Sequence, residues 1–464
     1  MLMNKDICYK ALVSHDARFD GVFFTCVRTT GIYCRPVCPT PPPKPQNCSF
    51  VASAALAEKA GYRPCLRCRP ELSPLAQLTE NSPAHMLRRH IEETLLMDET
   101  LSGVATNYGM SERQLRRTFS ETVGVTPKEY VMTRRLLFAK QLLQETALPI
   151  IDVAYSSGFN TPGRLTIAMR EAYGLTPSQL RKQVSNSAEG MLVLRASYRP
   201  SFDWNALLHV LAGRSTPAEY IADDAYHRIM QGKVIRVAHD AHNNQVLVTI
   251  PAELSRQSHV IMQSVRRLFD LDANPIAIAE ALSADPRMAT LMQQYPGVRV
   301  PGAWDAFELL IRVIVGQQIS VAGATTIMRR IVERIGATPD LLAGATPPTI
   351  AQAGMPLKRA ATIHAVSTRV RDGSVDLTER NPERFYQQLV AVPGIGPWTA
   401  EYLCMRLLHW PDAFPAGDLG IQKALGMPGM RLTESAARAA SQTWRPWRSY
   451  ATMLLWRSIS NQGG

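Results

Sequence analysis

No apolar run in this 464-residue chain approaches the ~18 residues that a membrane helix needs. The opening Met1-Leu2-Met3-Asn4-Lys5-Asp6 lacks the apolar segment of a secretion signal, so a cytoplasmic protein is expected. No low-complexity tract or charged tail dominates, and 46% apolar with 19% charged residues is ordinary for soluble, well-cored domains; the length suggests about three of them. Tryptophan is absent until Trp204, and all seven follow from there, which marks a change of domain. Cysteine shows the opposite bias: seven of the eight precede residue 69, and Cys404 stands alone in an apolar stretch that reads as helix.

In a reducing compartment, clustered thiols mean metal binding or reactivity more often than disulfides. Four of them read Cys34-x3-Cys38-x26-Cys65-x2-Cys68, two short-spaced pairs that can each turn back on one ion. A single Zn2+ held by Cys34, Cys38, Cys65 and Cys68 is expected. Cys8, Cys26 and Cys48 do not fit the ligand spacing and read as small packed residues. Such a site can be inert, but Arg35 crowds Cys34 with positive charge.

Lys and Arg exceed Asp and Glu by 10 to 6 in residues 1–82, 13 to 10 in 83–182 and 28 to 23 in 183–464. The net +12 is therefore spread along the chain, as expected if every domain touches one polyanion, and nucleic acid is the obvious candidate.

Ala105-x3-Gly109 followed by Gly124-Val125-Thr126-Pro127 recurs as Ala154-x3-Gly158 followed by Gly174-Leu175-Thr176-Pro177. Each copy reads as a short apolar helix (Leu101 to Asn107, Ile150 to Ser156), a Gly turn, and a polar cap, Ser111 or Thr161, that opens a second helix. The first copy turns Arg113, Gln114, Arg116 and Arg117 outward, residue types that can read base edges, whereas the second offers Arg164 and Arg170. The segment resembles the AraC-type DNA-binding domain, in which a long helix, here about Pro127 to Glu145, joins two helix-turn-helix units.

Four thiolates around one Zn2+ carry a formal −2 charge, and a thiolate of that kind can take up a methyl group. Residues 18–71 resemble the N-terminal domain of the Ada family of methylphosphotriester acceptors and activators. The match rests on Thr29-Thr30-Gly31-Ile32-Tyr33-Cys34-Arg35-Pro36, Asn47, Phe50 and Gly61-Tyr62-Arg63-Pro64-Cys65-Leu66-Arg67-Cys68. The resemblance implies that Cys34 accepts the methyl group once and irreversibly, and that Thr30, Arg63 and Arg67 contact the DNA backbone. The loop Pro39 to Pro45 keeps Lys44 as its only charge, so DNA affinity is expected to be weaker than in relatives with an arginine-rich loop.

Beyond the polar joint 183–190, alternating stretches at Met191 to Tyr198, Lys233 to Ala238 and Gln245 to Ile250 predict a small antiparallel sheet, followed by helices. Leu389 to Ala400 reads as a helix stop, a Pro-Gly-x-Gly turn with Gly394 and Gly396, and a helix restart that can aim backbone N–H groups at a phosphate. Asp418 follows in a small-residue loop just before another helix, where it could also serve only as a cap. Together these resemble the helix-hairpin-helix DNA glycosylases, and most of 191–464 is similar to the AlkA-type 3-methyladenine glycosylases. Further matches are Phe202-Asp203-Trp204, Gly316-Gln317-Gln318-Ile319-Ser320, Gly354 to Ala360 and Trp447 to Ala451.

The resemblance implies catalysis by Asp418, a pocket of Trp398, Tyr402 and Trp456 for a flipped cationic base, and Gln318 as the residue that wedges into the duplex. Trp398 near the hairpin, where lyase-active relatives carry a Schiff-base lysine, implies a monofunctional enzyme. The chain has no four-cysteine pattern after the catalytic loop, so no iron–sulfur cluster is expected. Trp410 and Trp444 read as core.

The expected architecture is multidomain and mainly α with small α+β parts. A four-cysteine zinc α/β domain (1–82) precedes an all-α double helix-turn-helix domain (83–182) and a linker (183–190). An α+β subdomain (191–262) and a helix-hairpin-helix glycosylase domain (263–464) complete it. The expected partners are alkylated and promoter DNA, with RNA polymerase during activation and no membrane, and the chain is expected to be a monomer. The alternative is a regulator whose C-terminal domain recognises damaged DNA without excising bases.

Overall fold

The computed structural model describes residues 4–77, 79, 82–95, 98–181, 190–214, 216–427 and 429–460. Most of the expected linker 183–190 lies outside them. The chain forms two compact units: Met1–Pro200 with Gln231–Arg266 and Leu271–Asn274, and Ser201–Met230 with Arg267–Asp270 and Pro275–Gly464.

In the first unit a four-stranded sheet carries the cysteine site. Its strands lie in the order Cys48–Val51, Phe24–Val27, Ile32–Cys34, Arg63–Pro64, and the last pair is parallel. Edge-on ring pairs, Phe23 on Phe50 at 5.4 Å and Phe24 on Tyr33 at 5.7 Å, lie in two separate small apolar clusters packed against it. This places Cys34 at the end of a strand and Cys65 just past another.

The repeat folds as two helix-turn-helix units. In the first, Asp98–Asn107 and Glu112–Val123 flank a turn at Gly109; in the second, Ile150–Ser156 and Pro162–Tyr173 flank Gly158, and both glycines have the positive φ such a turn requires. Ser111 and Thr161 cap as expected, and the helix Pro127–Glu145 joins the units. Leu165 and Met169 are fully buried, as are Leu115 and Phe119 of the first copy.

The helix Pro127–Glu145 also meets the strand Met191–Ser197: Gln141 donates to the Arg195 carbonyl, and Arg195 pairs with Glu145. That strand pairs antiparallel with Gln245–Pro251, which pairs with Lys233–Asp240, giving the three strands expected from alternation. Buried charge runs through this junction: Glu71 pairs with Arg69 and Lys140, and Glu145 with Arg69 and Arg195.

The second unit is largely helical, with a hairpin Glu219–Ala222/Ala225–Met230 that the alternation search missed. Its centre is the helix Pro382–Val390, the turn at 391–396 and the helix Pro397–Leu407. Trp444 is core, as expected, and its indole donates to Asp285; Trp410 is only half-buried.

Candidate metal centre and base-excision pocket

The sulfurs of Cys34, Cys38, Cys65 and Cys68 all lie within 4.8 Å of one another. Four converging thiol donors fit one tetrahedral Zn2+ and no harder cation. Three of the sulfurs have hydrogen-bond partners: Cys68 accepts from the Arg35 N–H at 3.3 Å, Cys65 from the Arg67 N–H at 3.4 Å, and Cys38 lies 3.1 Å from the Thr40 hydroxyl. The same three cysteines are buried. Cys34 is the partly exposed one, and its sulfur meets only the other three cysteines, with no donor from outside the cluster among the described residues. Arg35 is buried on Asp20 and also donates to the Cys68 carbonyl. Cys8, Cys26 and Cys48 are buried away from this cluster, and burial pushes the Cys26 thiol up to about 11.

Thr30, Arg63 and Arg67 are all exposed; Arg63 reaches the Tyr173 carbonyl at 3.5 Å. Arg113, Arg116 and Arg117 also face solvent, Arg116 and Arg117 beside Glu112 and Glu121 at 3.7 and 3.9 Å, and Arg164 is exposed on the helix Pro162–Tyr173 of the second helix-turn-helix copy. Gln114 is exposed too, but its side-chain oxygen accepts from the Ser111 N–H and closes a capping box. The outward face expected to read bases therefore presents arginines, with Gln114 holding the helix start.

In the second unit Gly394 and Gly396 sit exposed in the hairpin. Gly394 has φ +91, and a Cβ there would lie 2.0 Å from Thr362 Oγ1, so only glycine fits. Gly396 caps the following helix with no side chain, leaving its N-terminal amides open to an anion. Beside the hairpin, Gln317 donates to Thr399 at 3.2 Å, and its neighbour Gln318 stands exposed with φ +59. That places Gln318 in a loop fixed to the hairpin.

Asp418 caps the helix Leu419–Leu425 through the Ile421 N–H, yet capping is a minor part of its environment. Its Oδ1 also accepts from Trp456 Nε1 at 3.0 Å, and its Oδ2 from Trp398 Nε1 at 3.1 Å. Tyr402 stacks on Trp398 with ring centres 5.5 Å apart and lies 6.0 Å from Trp456. The four residues expected from sequence converge on one cleft of about 990 Å³. Among the described residues its lining contains no lysine.

The sequence reading missed the arginines of this cleft. Arg214, Arg299, Arg312, Arg406 and Arg457 line it against only Asp203 and Asp418. The signal was present: Arg312 is a lone charge in Leu309-Leu310-Ile311-Arg312-Val313-Ile314-Val315, and Arg406 in Leu403-Cys404-Met405-Arg406-Leu407-Leu408. A cation on an apolar face has to be partnered inside the fold. Burial by itself would raise the Tyr402 phenol, but the charges of Arg406, Arg214 and Arg312 bring it below its ordinary range.

A four-thiolate site, paired helix-turn-helix units and a helix-hairpin-helix pocket in which two indoles hold Asp418 define a DNA-repair glycosylase that carries a metal-dependent, DNA-binding regulatory arm. Family models agree in order along the chain. The metal binding domain of Ada matches residues 7–71, a helix-turn-helix domain 104–183, the AlkA N-terminal domain 193–305 and the helix-hairpin-helix base excision DNA repair superfamily 311–449. The chain is 36% identical to the probable bifunctional transcriptional activator/DNA repair enzyme AlkA of Mycobacterium tuberculosis, covering 98% of this chain and 96% of that protein. It belongs to that family of bifunctional activator and repair proteins.

DNA-3-methyladenine glycosylase 2 of Escherichia coli is 32% identical over 56% of this chain and 95% of its own length. The Ada protein of Escherichia coli, also a bifunctional activator and repair enzyme, is 32% identical over 40% of this chain, which spans 51% of that protein. The solved 3-methyladenine DNA glycosylase of Archaeoglobus fulgidus, at 19% identity, shares the fold with a TM-score of 0.51 over 57% of this chain and 98% of that one. Among the described residues no helix is long and apolar enough to cross a membrane.

Proposed function

We propose that this protein joins a once-only sensor of DNA methylation to an enzyme that excises alkylated bases. The sensor half rests on Cys34. A hydrogen bond to a thiolate holds its lone pair and blunts attack, and Cys34 is the cysteine of the cluster that is partly open to solvent and, among the described residues, receives no such bond from outside the cluster. A bound Zn2+ supplies the charge that keeps the thiols deprotonated at neutral pH. The Cys34 sulfur attacks the methyl carbon of a DNA methylphosphotriester. A carbon–sulfur bond forms as the carbon–oxygen bond breaks, and the electron pair leaves with the phosphate oxygen as an ordinary phosphodiester. The thioether is not readily cleaved, so each chain reacts once.

Losing one negative charge at the site weakens its repulsion from DNA phosphates and raises the affinity of residues 1–182 for promoter DNA. Thr30, Arg63 and Arg67 hold the backbone near the sulfur, and Arg113, Arg116, Arg117 and Arg164 carry the helix-turn-helix contacts. Activation then engages RNA polymerase, and the chain works as a monomer in the cytoplasm on nucleoid DNA. The domain bounds 1–82, 83–182, 191–262 and 263–464 describe this division of labour.

The excision half rests on Asp418, fixed by two indoles in the lining of an aromatic cleft. The hairpin glycines Gly394 and Gly396 grip a phosphate, Gln318 fills the vacated stack, and the flipped base lies against Trp398, Tyr402 and Trp456. The C1′–N bond breaks with its electron pair going to the base, which discharges the alkylated ring. Asp418 stabilises the cationic sugar and orients water, whose oxygen bonds to C1′ and whose proton passes to solvent. With no lysine lining the cleft among the described residues, hydrolysis without lyase chemistry is the reading, and borohydride should trap no protein–DNA adduct.

Duplex DNA containing 3-methyladenine tests this half. Wild type should release free base about 10²–10³ times faster than Asp418→Asn, the usual cost of losing a charge-stabilising group. Equal release by both, or none by wild type, would overturn it. Methyl uptake from methylphosphotriester DNA that survives in Cys34→Ser would overturn the sensor half.

A further inference from the structure

The excision pocket is chemically two-sided. Around Asp418 it is anionic, and both indoles there donate to the carboxylate. Around Tyr402 it is cationic and rich in donors. Arg406 is fully enclosed and donates to the Tyr402 hydroxyl and to the Pro301 and Gly302 carbonyls, with its guanidinium carbon 5.4 Å from the phenol ring centre. A hydroxyl that accepts from a guanidinium must send its own hydrogen elsewhere. Among the described residues no group accepts it.

Arg312 adds a second source of donors. It is 7% exposed and lines the same cleft. Its Nη2 is used on the Val321 carbonyl at 3.1 Å and the Thr325 hydroxyl at 3.2 Å, while its buried Nε has no protein partner. Arg214 contributes a further positive charge to the lining. The depressed phenol of Tyr402 fits this cationic surrounding.

A base edge that enters such a region has to bring an acceptor. Guanine presents a carbonyl oxygen at C6, and adenine an amino group whose hydrogens would face N–H and O–H donors. A site built to bond one group and left unpaired by the other discriminates strongly. We infer that Tyr402 and Arg312 make this pocket prefer N-alkylated guanines, and other alkylated purines with a C6 carbonyl, over N-alkylated adenines. The inference rests on the excision reading above and names its preferred substrate.

The test uses the full-length protein on duplex DNA carrying 7-methylguanine or 7-methyladenine, both methylated at the same nitrogen. Each release rate is divided by the spontaneous rate for that base. The enhancement for 7-methylguanine should exceed that for 7-methyladenine about tenfold, the worth of one well-made hydrogen bond. Tyr402→Phe should bring the ratio towards one, whatever it does to the absolute rates, and Arg312→Met should lower it in the same direction. A wild-type ratio of one or less, or a ratio that Tyr402→Phe leaves unchanged, would overturn the preference while leaving excision intact. Release of neither base by wild type would overturn the preference, and release of 3-methyladenine by the same protein decides separately whether excision stands.

Discussion

Glu58 should make the first unit less stable as pH rises from 5 to 8, and Glu58→Gln should abolish that trend. The carboxyl sits where the cysteine-bearing sheet meets the joining helix Pro127–Glu145 and the second helix-turn-helix unit. It accepts from the Tyr33 hydroxyl at 3.0 Å, the Thr133 hydroxyl at 2.7 Å and the Tyr173 hydroxyl at 3.3 Å. Burial raises its pKa to about 7, outweighing those three hydrogen bonds and the charge of Arg134. A carboxyl whose folded pKa lies above its unfolded value contributes most below the unfolded pKa, near 4.5, and loses that contribution as pH rises through about 7.

At about 1.36 kcal/mol per pH unit, the gap between these two values is worth about 3 kcal/mol, fully lost by pH ~8. Glutamine never ionises, but its amide can satisfy the three hydroxyls only imperfectly, at a cost of about 1 kcal/mol. Glu58→Gln should therefore match wild type near pH 5 and be about 2 kcal/mol more stable at pH 8. Urea unfolding of the full chain by far-UV circular dichroism measures this. All seven tryptophans belong to the second unit, so a transition silent in tryptophan fluorescence is the first unit's. Protonation of the zinc-site thiols is common to both proteins and cancels in the difference. A difference that stays flat from pH 5 to 8, or a variant less stable at pH 8, would refute the reasoning.

Lys140 is wholly buried against Glu71, so Lys140→Met should destabilise the first unit by about 3–5 kcal/mol, and adding Glu71→Gln should recover part of it. Strictly additive losses in that double-mutant cycle would mean the pair is not coupled. Trp456→Phe keeps a ring in the cleft but removes one donor to Asp418; single-turnover excision should fall about 10- to 100-fold, and an unchanged rate would separate the indole from the carboxylate's role. If charge drives the switch, the gain in DNA affinity after Cys34 methylation should shrink as salt rises from about 50 to 200 mM, and a gain insensitive to salt would point to a change of shape instead.

Local signals were legible in the sequence because they rest on short-range rules. The cap residues Ser111 and Thr161, the helix Pro127–Glu145 and the strands at 191, 233 and 245 all lie where pattern and turn chemistry place them. The hairpin at 219–230 had its own signal, Asp223-Asp224, both with positive φ between two short strands, but its two flanks alternate weakly. What pattern could not supply was partnership at a distance. Gln114 looked like a base reader because its own cap was not weighed against its exposure. The Glu58 hub and the Arg69–Glu71–Lys140–Glu145 network join residues up to 115 positions apart, and no periodicity records that. The arginines around Tyr402 were visible as lone charges in apolar helices, yet where they converge depends on how those helices pack.

The two sites are anionic centres tuned in opposite directions by the donors around them. Among the described residues Cys34 has no donor from outside the cluster, whereas the other three sulfurs each have one, which leaves its lone pair the freest to form a bond. Asp418 receives three donors over its two oxygens, which fixes the carboxylate in place and occupies the electron pairs a nucleophile would use. A group held in that way is suited to stabilise charge through repeated turnovers and poorly suited to form a covalent bond with the sugar. A bare thiolate is suited to the reverse, a single bond that is never broken. The contrast in hydrogen bonding thus matches what each half of the chain is proposed to do: Cys34 is consumed in registering one methyl group, and Asp418 survives each excision to act again.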